Sequence, residues 1–251
     1  MEDVVTDTAI FTQIILLTAQ VYAGLLNDVI ALNNAEIEVL CLEHPSQILL
    51  LTPLLLSRSR LISFGSRYYV GSDILKKIGF GAYNFHPGPS TYPGWAPFNF
   101  AMYDGVEHYG VTVHEMTDKI DSGYIVGQNS FSIGGVKNIQ DLMDLTTLNM
   151  YALFNKLAPN FVQNARLRPV EAAMWKGQVN TKKHFKNMCQ FSFDMNKEEF
   201  DRRYKAFGDG DGEQLPFIMK DNKIYDIAIG TEPANHESLW LHGQRFVRRG
   251  S

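Results

Sequence analysis

Residues 11 to 42 read FTQIILLTAQVYAGLLNDVIALNNAEIEVLCL, and their pattern decides the class of fold. From Phe11 to Ala19 the segment is apolar and rich in strand formers, Val21 to Leu32 reads as helix, and Ile37 to Leu42 returns to a strand pattern. That is one β-α-β unit. Working outward, Leu61 to Phe64 gives another short strand, and Ser72 before Asp73-Ile-Leu-Lys-Lys marks a helix start. Gly81-Ala-Tyr-Asn-Phe-His86 supplies the next strand. This alternation predicts an α/β fold, a Rossmann-like, mostly parallel sheet covered by helices.

After a loop rich in Pro and Gly, residues 95 to 103 read as helix and Tyr109 to Glu115 alternates as a strand does. Ile125 to Ile133 is expected to be the last strand of the sheet. Ile139, Leu142, Met143, Thr146, Met150, Leu153, Phe154 and Leu157 then recur at three- and four-residue steps, the apolar face of a long helix expected to end before Pro159. The apolar run Ile48 to Leu56, broken by Pro53, reads as buried core. A first domain is expected over residues 1–168.

Beyond Pro169 the texture changes. A mixed-charge segment from Lys182 to Lys205 leads to an acidic glycine loop at Gly208 to Glu213, with strand candidates around Phe217 and Ile224 to Ile229. Residues 169–251 therefore read as a small second domain with β content. From Glu171 onward the chain holds 13 basic against 12 acidic residues, so this part offers no strong basic field.

The chain has 251 residues, 45% of them hydrophobic, enough for a real core, and a net charge of -4 predicts no overall pull on nucleic acid or an anionic membrane. Its two cysteines, Cys41 and Cys189, match neither a disulfide framework nor a clustered zinc site, and a reducing cytoplasm is expected. The segment around Glu2, Asp3 and Asp7 lacks the basic region of a signal peptide, and Ile14 to Leu17 is too short to span a bilayer. His108 and His114 have no acidic or cysteine neighbours at ligand spacing, so both are read as structural and no metal is expected.

The stretch that carries chemistry runs from Tyr83 to Val126: YNFHPGPSTYPGWAPFNFAMYDGVEHYGVTVHEMTDKIDSGYIV. Side chains two apart on a strand share a face, so Asn84 and His86 project together while Phe85 enters the core. At the carboxyl end of a sheet strand such a pair opens into the crevice where ligands bind, and Pro87 and Gly88 turn the chain away. Trp95, in the following loop, is expected to pack back on its own domain.

This stretch resembles the folate-dependent formyltransferases, the group that includes methionyl-tRNA formyltransferase, glycinamide ribonucleotide transformylase and the sugar N-formyltransferases. Asn84-Phe-His86-Pro is similar to that family's Asn-x-His-Pro, and Asp121-Ser-Gly to its Asp-x-Gly loop. The resemblance implies catalysis by Asn84, His86 and Asp121, with N10-formyltetrahydrofolate as formyl donor and an amine as acceptor. Asn84 and a protonated His86 would meet the negative oxygen of a tetrahedral intermediate, and Asp121 would raise the His86 pKa. It also implies folate contacts at Phe64, Gly65, Ile74 and Leu75, faced by Ile120, Ser122 and Gly123. The chain departs from the family in Pro87-Gly88-Pro89-Ser90, where many relatives carry Ser-Leu-Leu-Pro.

Among acceptors, the first β-α turn, Ala19-Gln-Val-Tyr-Ala-Gly, lacks a glycine-rich phosphate cradle. The balanced tail disfavours tRNA, although Phe200 to Phe207 faintly resembles the start of the appended domain of the tRNA enzymes. A catalytic domain plus a compact appendage resembles the sugar N-formyltransferases, so a nucleotide-linked amino sugar is the preferred acceptor; a homodimer is compatible with this plan. Methionyl-tRNA formyltransferase, formyltetrahydrofolate hydrolase and a non-catalytic folate-binding module are the alternatives.

Overall fold

The computed structural model describes residues 10–211, 214–228 and 237–249. Glu2, Asp3, Asp7, Glu213, Ile229 and His236 lie outside them. Two compact units emerge: residues 1–93, 108–132 and 144–178 form the first, and residues 94–107, 133–143 and 179–251 the second.

The first unit is built on β1 (Gln13–Thr18), α1 (Gln20–Asn33) and β2 (Glu38–Leu42), followed by short helices α2 (Pro45–Ile48) and α3 (Pro53–Ser57). Next along the chain come β3 (Ser59–Phe64), α4 (Ser72–Leu75), β4 (Ala82–His86), α5 (Pro97–Asp104), β5 (His108–Glu115), β6 (Ile125–Ser132) and α6 (Ile139–Phe161), of which α5 and the start of α6 through Met143 fall in the second unit. The sheet order is β2-β1-β3-β4-β5-β6. Pairing is parallel from β2 through β4, whereas β5 joins β4, and β6 joins β5, antiparallel. The mostly parallel, Rossmann-like reading is thus the observed architecture.

Strand periodicity sorts the core into two layers. Ile14, Leu16, Ile62, Phe64 and Phe85 pack with Leu26 and Ile30 of α1 and Leu153, Phe154 and Phe161 of α6. Ile15, Leu17, Leu61 and Ala82 face the other way, onto Ile48, Leu56, Ile74 and Ile78. Both faces of the central strands are therefore dry, which is why β1 is apolar from Ile14 to Leu17 and the polar residues of β3, Ser59, Arg60 and Ser63, are buried.

Two expectations change. The run Ile48 to Leu56 is only partly core: Ile48 and Leu56 are buried, while Leu49 and Leu50, between α2 and α3, and Leu54, on α3, are exposed. The long helix does not stop before Pro159 but continues to Phe161. A proline there removes a single N–H in the closing turn, and the buried guanidinium of Arg60 collects the carbonyls of Asn160, Phe161, Gln163 and Ala165 beyond it.

The second unit contains α5, α7 (Lys182–Cys189), β7 (Gln190–Phe191), α8 (Lys197–Phe207), β8 (Phe217–Lys220), β9 (Lys223–Ile227), β10 (Ser238–Leu241) and β11 (Gln244–Arg248), with sheet order β10-β11-β9-β8-β7. Asp221 and Asn222 both take positive φ in the turn between β8 and β9, the geometry that matches the twist of a tight hairpin. Asn196 caps α8 by accepting from the Glu199 N–H, with Glu198 and Glu199 in the first turn.

The division of the chain differs from a single break at residue 168. Residues 169–178 stay with the first unit because Val170 N–H donates to Ile125 O and Lys176 N–H to Ser90 O. Helix α5 groups with the second because Asn99 Nδ2 donates to Ala206 O at 2.7 Å and Phe100 packs on Phe207. Trp95 packs within that unit too, its indole donating to Asp211 under the Lys182 ammonium.

Candidate active site

Three segments of the first unit converge. β4 ends in Asn84-Phe85-His86, and its antiparallel partner places His114 opposite Asn84 and Thr112 opposite His86. The loop between β5 and β6 then carries Asp121 back to them. His86 Nδ1 lies 3.2 Å from Asp121 Oδ2, and His114 Nε2 lies 3.1 Å from Asp121 Oδ1. All three side chains are buried. The half-buried Asn84 amide donates to His114 Nε2 at 3.3 Å.

The outer nitrogen of each imidazole is committed to backbone. His86 Nε2–H donates to Tyr92 O and His114 Nδ1–H to Glu115 O, both at 2.9 Å. A carbonyl only accepts, so these bonds fix a proton on each outer nitrogen and turn the inner nitrogens toward the Asp121 carboxylate. Protons are therefore shared at the centre of the cluster. Burial pulls the His86 pKa below that of a free imidazole, Asp121 opposes the fall, and His114 reinforces it. Asp121 does push this pKa upward, but desolvation outweighs its effect in a site this dry.

Asp121 sits at φ 43°, in the left-handed region, which a residue other than glycine occupies only when its surroundings hold it there. Gly123 is equally constrained, since a Cβ would come within 1.9 Å of the Glu115 carbonyl. Thr112, wholly buried opposite His86, has a hydroxyl with no hydrogen-bond partner among the described residues.

Two members of the cluster were not picked out by motif. His114, read as structural, touches both Asp121 and Asn84. Trp175 meets the His86 and His114 rings near perpendicular at centroid distances of 5.6 and 5.1 Å, and its Nε1–H donates to Gly123 O.

A cavity of about 320 Å³ lies beside the cluster, lined by Leu75, Ile78, Ala82, Met116, Thr117 and Asp118, with Lys76, Glu115 and Arg166 also at its walls. Ala82, Asn84 and His86 share one face of β4 by strand alternation, so the cavity, which Ala82 lines, lies on the same side of the strand as Asn84 and His86. Of the residues expected to receive folate, Leu75 lines this cavity. Phe64 and Ile74 are in the hydrophobic core, and Gly65 turns the chain at φ 63°. Ile120 is exposed, Ser122 bonds Thr117 and Lys119, and Gly123 receives Trp175. Among the described residues no group of His, Cys, Asp and Glu has the geometry to hold a metal ion. No helix there is long and apolar enough to cross a membrane.

The fold and this cluster resemble those of the formyltransferases. Residues 68–154, which hold Asn84, His86, His114 and Asp121, match the formyl transferase family model. The bifunctional polymyxin resistance protein ArnA of Wigglesworthia glossinidia brevipalpis is 36% identical over 106 residues, covering 41% of this chain and 16% of that protein, so the match reaches a small part of the relative's length. Among solved structures, a sugar N-formyltransferase from a Shewanella species superposes with a TM-score of 0.65 at 18% identity, covering 90% of this chain and 99% of that one. The N-formyltransferase of Helicobacter canadensis, solved with folinic acid and dTDP-3-aminofucose, superposes with a TM-score of 0.56 at 13% identity, over 96% and 99% of the two chains. These likenesses are of fold.

Proposed function

We propose that this chain transfers a formyl group from N10-formyltetrahydrofolate to a primary amine, with a nucleotide-linked amino sugar as preferred acceptor. The observation that carries the reading is the cluster of half-buried Asn84 with buried His86, Asp121 and His114, near a cavity of pterin size. The amine attacks the formyl carbon, a new C–N bond forms, and the carbonyl oxygen becomes negative. Asn84 is a donor for that oxygen, and His86 donates to it from Nδ1 once that nitrogen takes up a proton. The amine loses a proton, the bond from the formyl carbon to folate N10 breaks, and N10 takes up a proton. The Asp121 carboxylate, between two imidazoles, passes protons in both directions.

The apolar walls at Leu75, Ile78, Ala82 and Met116 suit the faces of a pterin, and the backbone of residues 116–118 offers polar groups for its edge. The amino-sugar preference draws on the Helicobacter canadensis protein, whose structure contains both a folate and a dTDP-linked amino sugar. Against tRNA stands the state of the basic residues in the tail. Arg202 and Arg203 are both paired to Glu199, at 2.7 and 2.5 Å, and Lys182 lies over Trp95. We place the reaction in the cytoplasm, where Cys41 and Cys189, both free, stay reduced.

The test supplies N10-formyltetrahydrofolate with a panel of amino sugars and other amines, following tetrahydrofolate release and product mass. Release that depends on an amino sugar, with a product heavier by one formyl group, is the expected result. Release with no amine present makes the chain a hydrolase, and tight folate binding without turnover makes it a binding module. Initiator tRNA bound at micromolar protein with a steep salt dependence would overturn the acceptor choice.

A further inference from the structure

We propose that Trp175 is a positioning residue for the catalytic cluster, the fastening by which a strap of chain holds the Asp121 loop against both imidazoles. The proposal rests on the role given above to that cluster, but not on the identity of the amine. Trp175 belongs to residues 170–177, which follow the last helix of the first unit and tie together the two loops that flank the site. Val170 N–H donates to Ile125 O at 2.7 Å, just after the Asp121 loop. At the other end Lys176 N–H donates to Ser90 O at 3.0 Å, and Gly177 N–H to the same carbonyl at 3.3 Å. Ser90 lies two residues before Tyr92, whose carbonyl receives His86 Nε2–H.

Between these ends the indole joins the strap to the reacting groups. Its Nε1–H donates to Gly123 O at 3.0 Å, two residues beyond Asp121. Its ring packs near perpendicular on His86 and on His114, at interplanar angles of 75° and 81°. A flat apolar surface wide enough for two imidazoles, with an N–H at its edge, is what tryptophan supplies. Phenylalanine keeps the surface and loses the donor, and leucine loses both.

The strap has little room to shift. A Cβ on Gly177 would come within 1.9 Å of Thr91 O, so strap and loop are in backbone contact there. The Asp121 loop, in turn, is held in a left-handed conformation that it would not keep unaided. Fastening Gly123 fixes Asp121 at the distance from which one carboxylate reaches two rings.

The experiment compares the full-length protein with Trp175→Phe and Trp175→Leu by imidazole ¹⁵N and ¹H resonances and by steady-state turnover. In Trp175→Phe the His86 and His114 nitrogen shifts change, because their distances to Asp121 change, while the fold and the KM for formyl-folate hold. Its kcat falls about tenfold, the consequence of losing one net hydrogen bond in a positioning role, and Trp175→Leu falls further. If Trp175→Leu does not fold, Trp175→Phe decides. A folded Trp175→Phe with wild-type kcat and unmoved imidazole resonances overturns the proposal. Imidazole shifts that respond to Trp175→Phe in a protein that turns over no formyl-folate leave the fastening in place and overturn the proposed function instead.

Discussion

His86 Nδ1 and Asp121 Oδ2 meet at 3.2 Å although the residues lie on different elements. The same carboxylate's other oxygen meets His114 at 3.1 Å, so no member of the cluster can be removed without leaving a buried polar atom facing an empty place. We expect Asn84→Ala, His86→Ala and Asp121→Ala each to remain folded and to lower formyl transfer by at least about a hundredfold, the scale of losing one transition-state donor or one acid/base group. Turnover within a few-fold of wild type in a folded His86→Ala protein contradicts the assignment.

Burial of His86 makes stability depend on pH with a definite sign. Its pKa in the folded protein lies below the value of about 6.5 that it has in an unfolded chain. Between those two values the unfolded state binds more protons than the native one, so stability rises with pH across that window. The contribution is complete above about 6.5 and is lost as pH falls through the folded value. Thermal midpoints measured from pH 7.5 down to pH 5 should therefore fall more steeply for the wild type than for His86→Asn. Equal slopes would show that this imidazole is not the titrating group.

Arg60 illustrates how one buried charge closes a helix. It is fully buried on β3, donates through Nε to Phe80 O, and spans the last carbonyls of α6 and those just after it, while burial pulls its pKa only to about 10, so it stays protonated. Arg60→Met should cost about 3 kcal/mol, since it strips the donors from the buried Phe161 carbonyl and from the part-buried carbonyls of Phe80, Asn160, Gln163 and Ala165. Arg60→Lys should recover little of this, because an ammonium cannot span the same fork of acceptors. Urea unfolding of the three proteins checks both statements, and a loss below about 1 kcal/mol for Arg60→Met would mean water reaches those carbonyls.

What was legible in the sequence is what short-range periodicity encodes. Residues 11–42 declared β1, α1 and β2, and the shared face of Asn84 and His86 follows from strand alternation alone. His114 was not legible, because its place beside Asn84 depends on the antiparallel register of β4 and β5, a long-range pairing to which neither strand's own pattern points. Trp175 lay in a segment read as the start of the second domain, and long-range contacts draw it to the site, its hydrogen bond to Gly123 and its packing on His86 and His114. The hairpin of β10 and β11 did leave a trace, His242-Gly243, both at positive φ in a two-residue turn. The folate residues fared unevenly for a related reason. Sequence order places Phe64 and Ile74 beside a strand end, but it does not tell which faces of those elements turn inward.

Gly123 offers the sharpest test of the loop that carries Asp121. Its φ is ordinary, so the left-handed region is not what demands glycine here. The demand is spatial: a Cβ would stand 1.9 Å from Glu115 O and 3.2 Å from Thr117 Cγ2. Backbone cannot rotate out of the way as a side chain can, so Gly123→Ala must move the loop away from β5. That motion pulls Asp121 from both imidazoles and strains the Trp175 bond to the same residue. We expect Gly123→Ala to lose transfer nearly as fully as Asp121→Ala while binding folate more weakly, because the displaced loop shares Thr117 and Asp118 with the cavity. Asp121→Ala, by contrast, should leave folate affinity within a few-fold of wild type. Fluorescence titration with folinic acid separates the two variants, and equal affinity in both would mean that the loop and the cavity move independently.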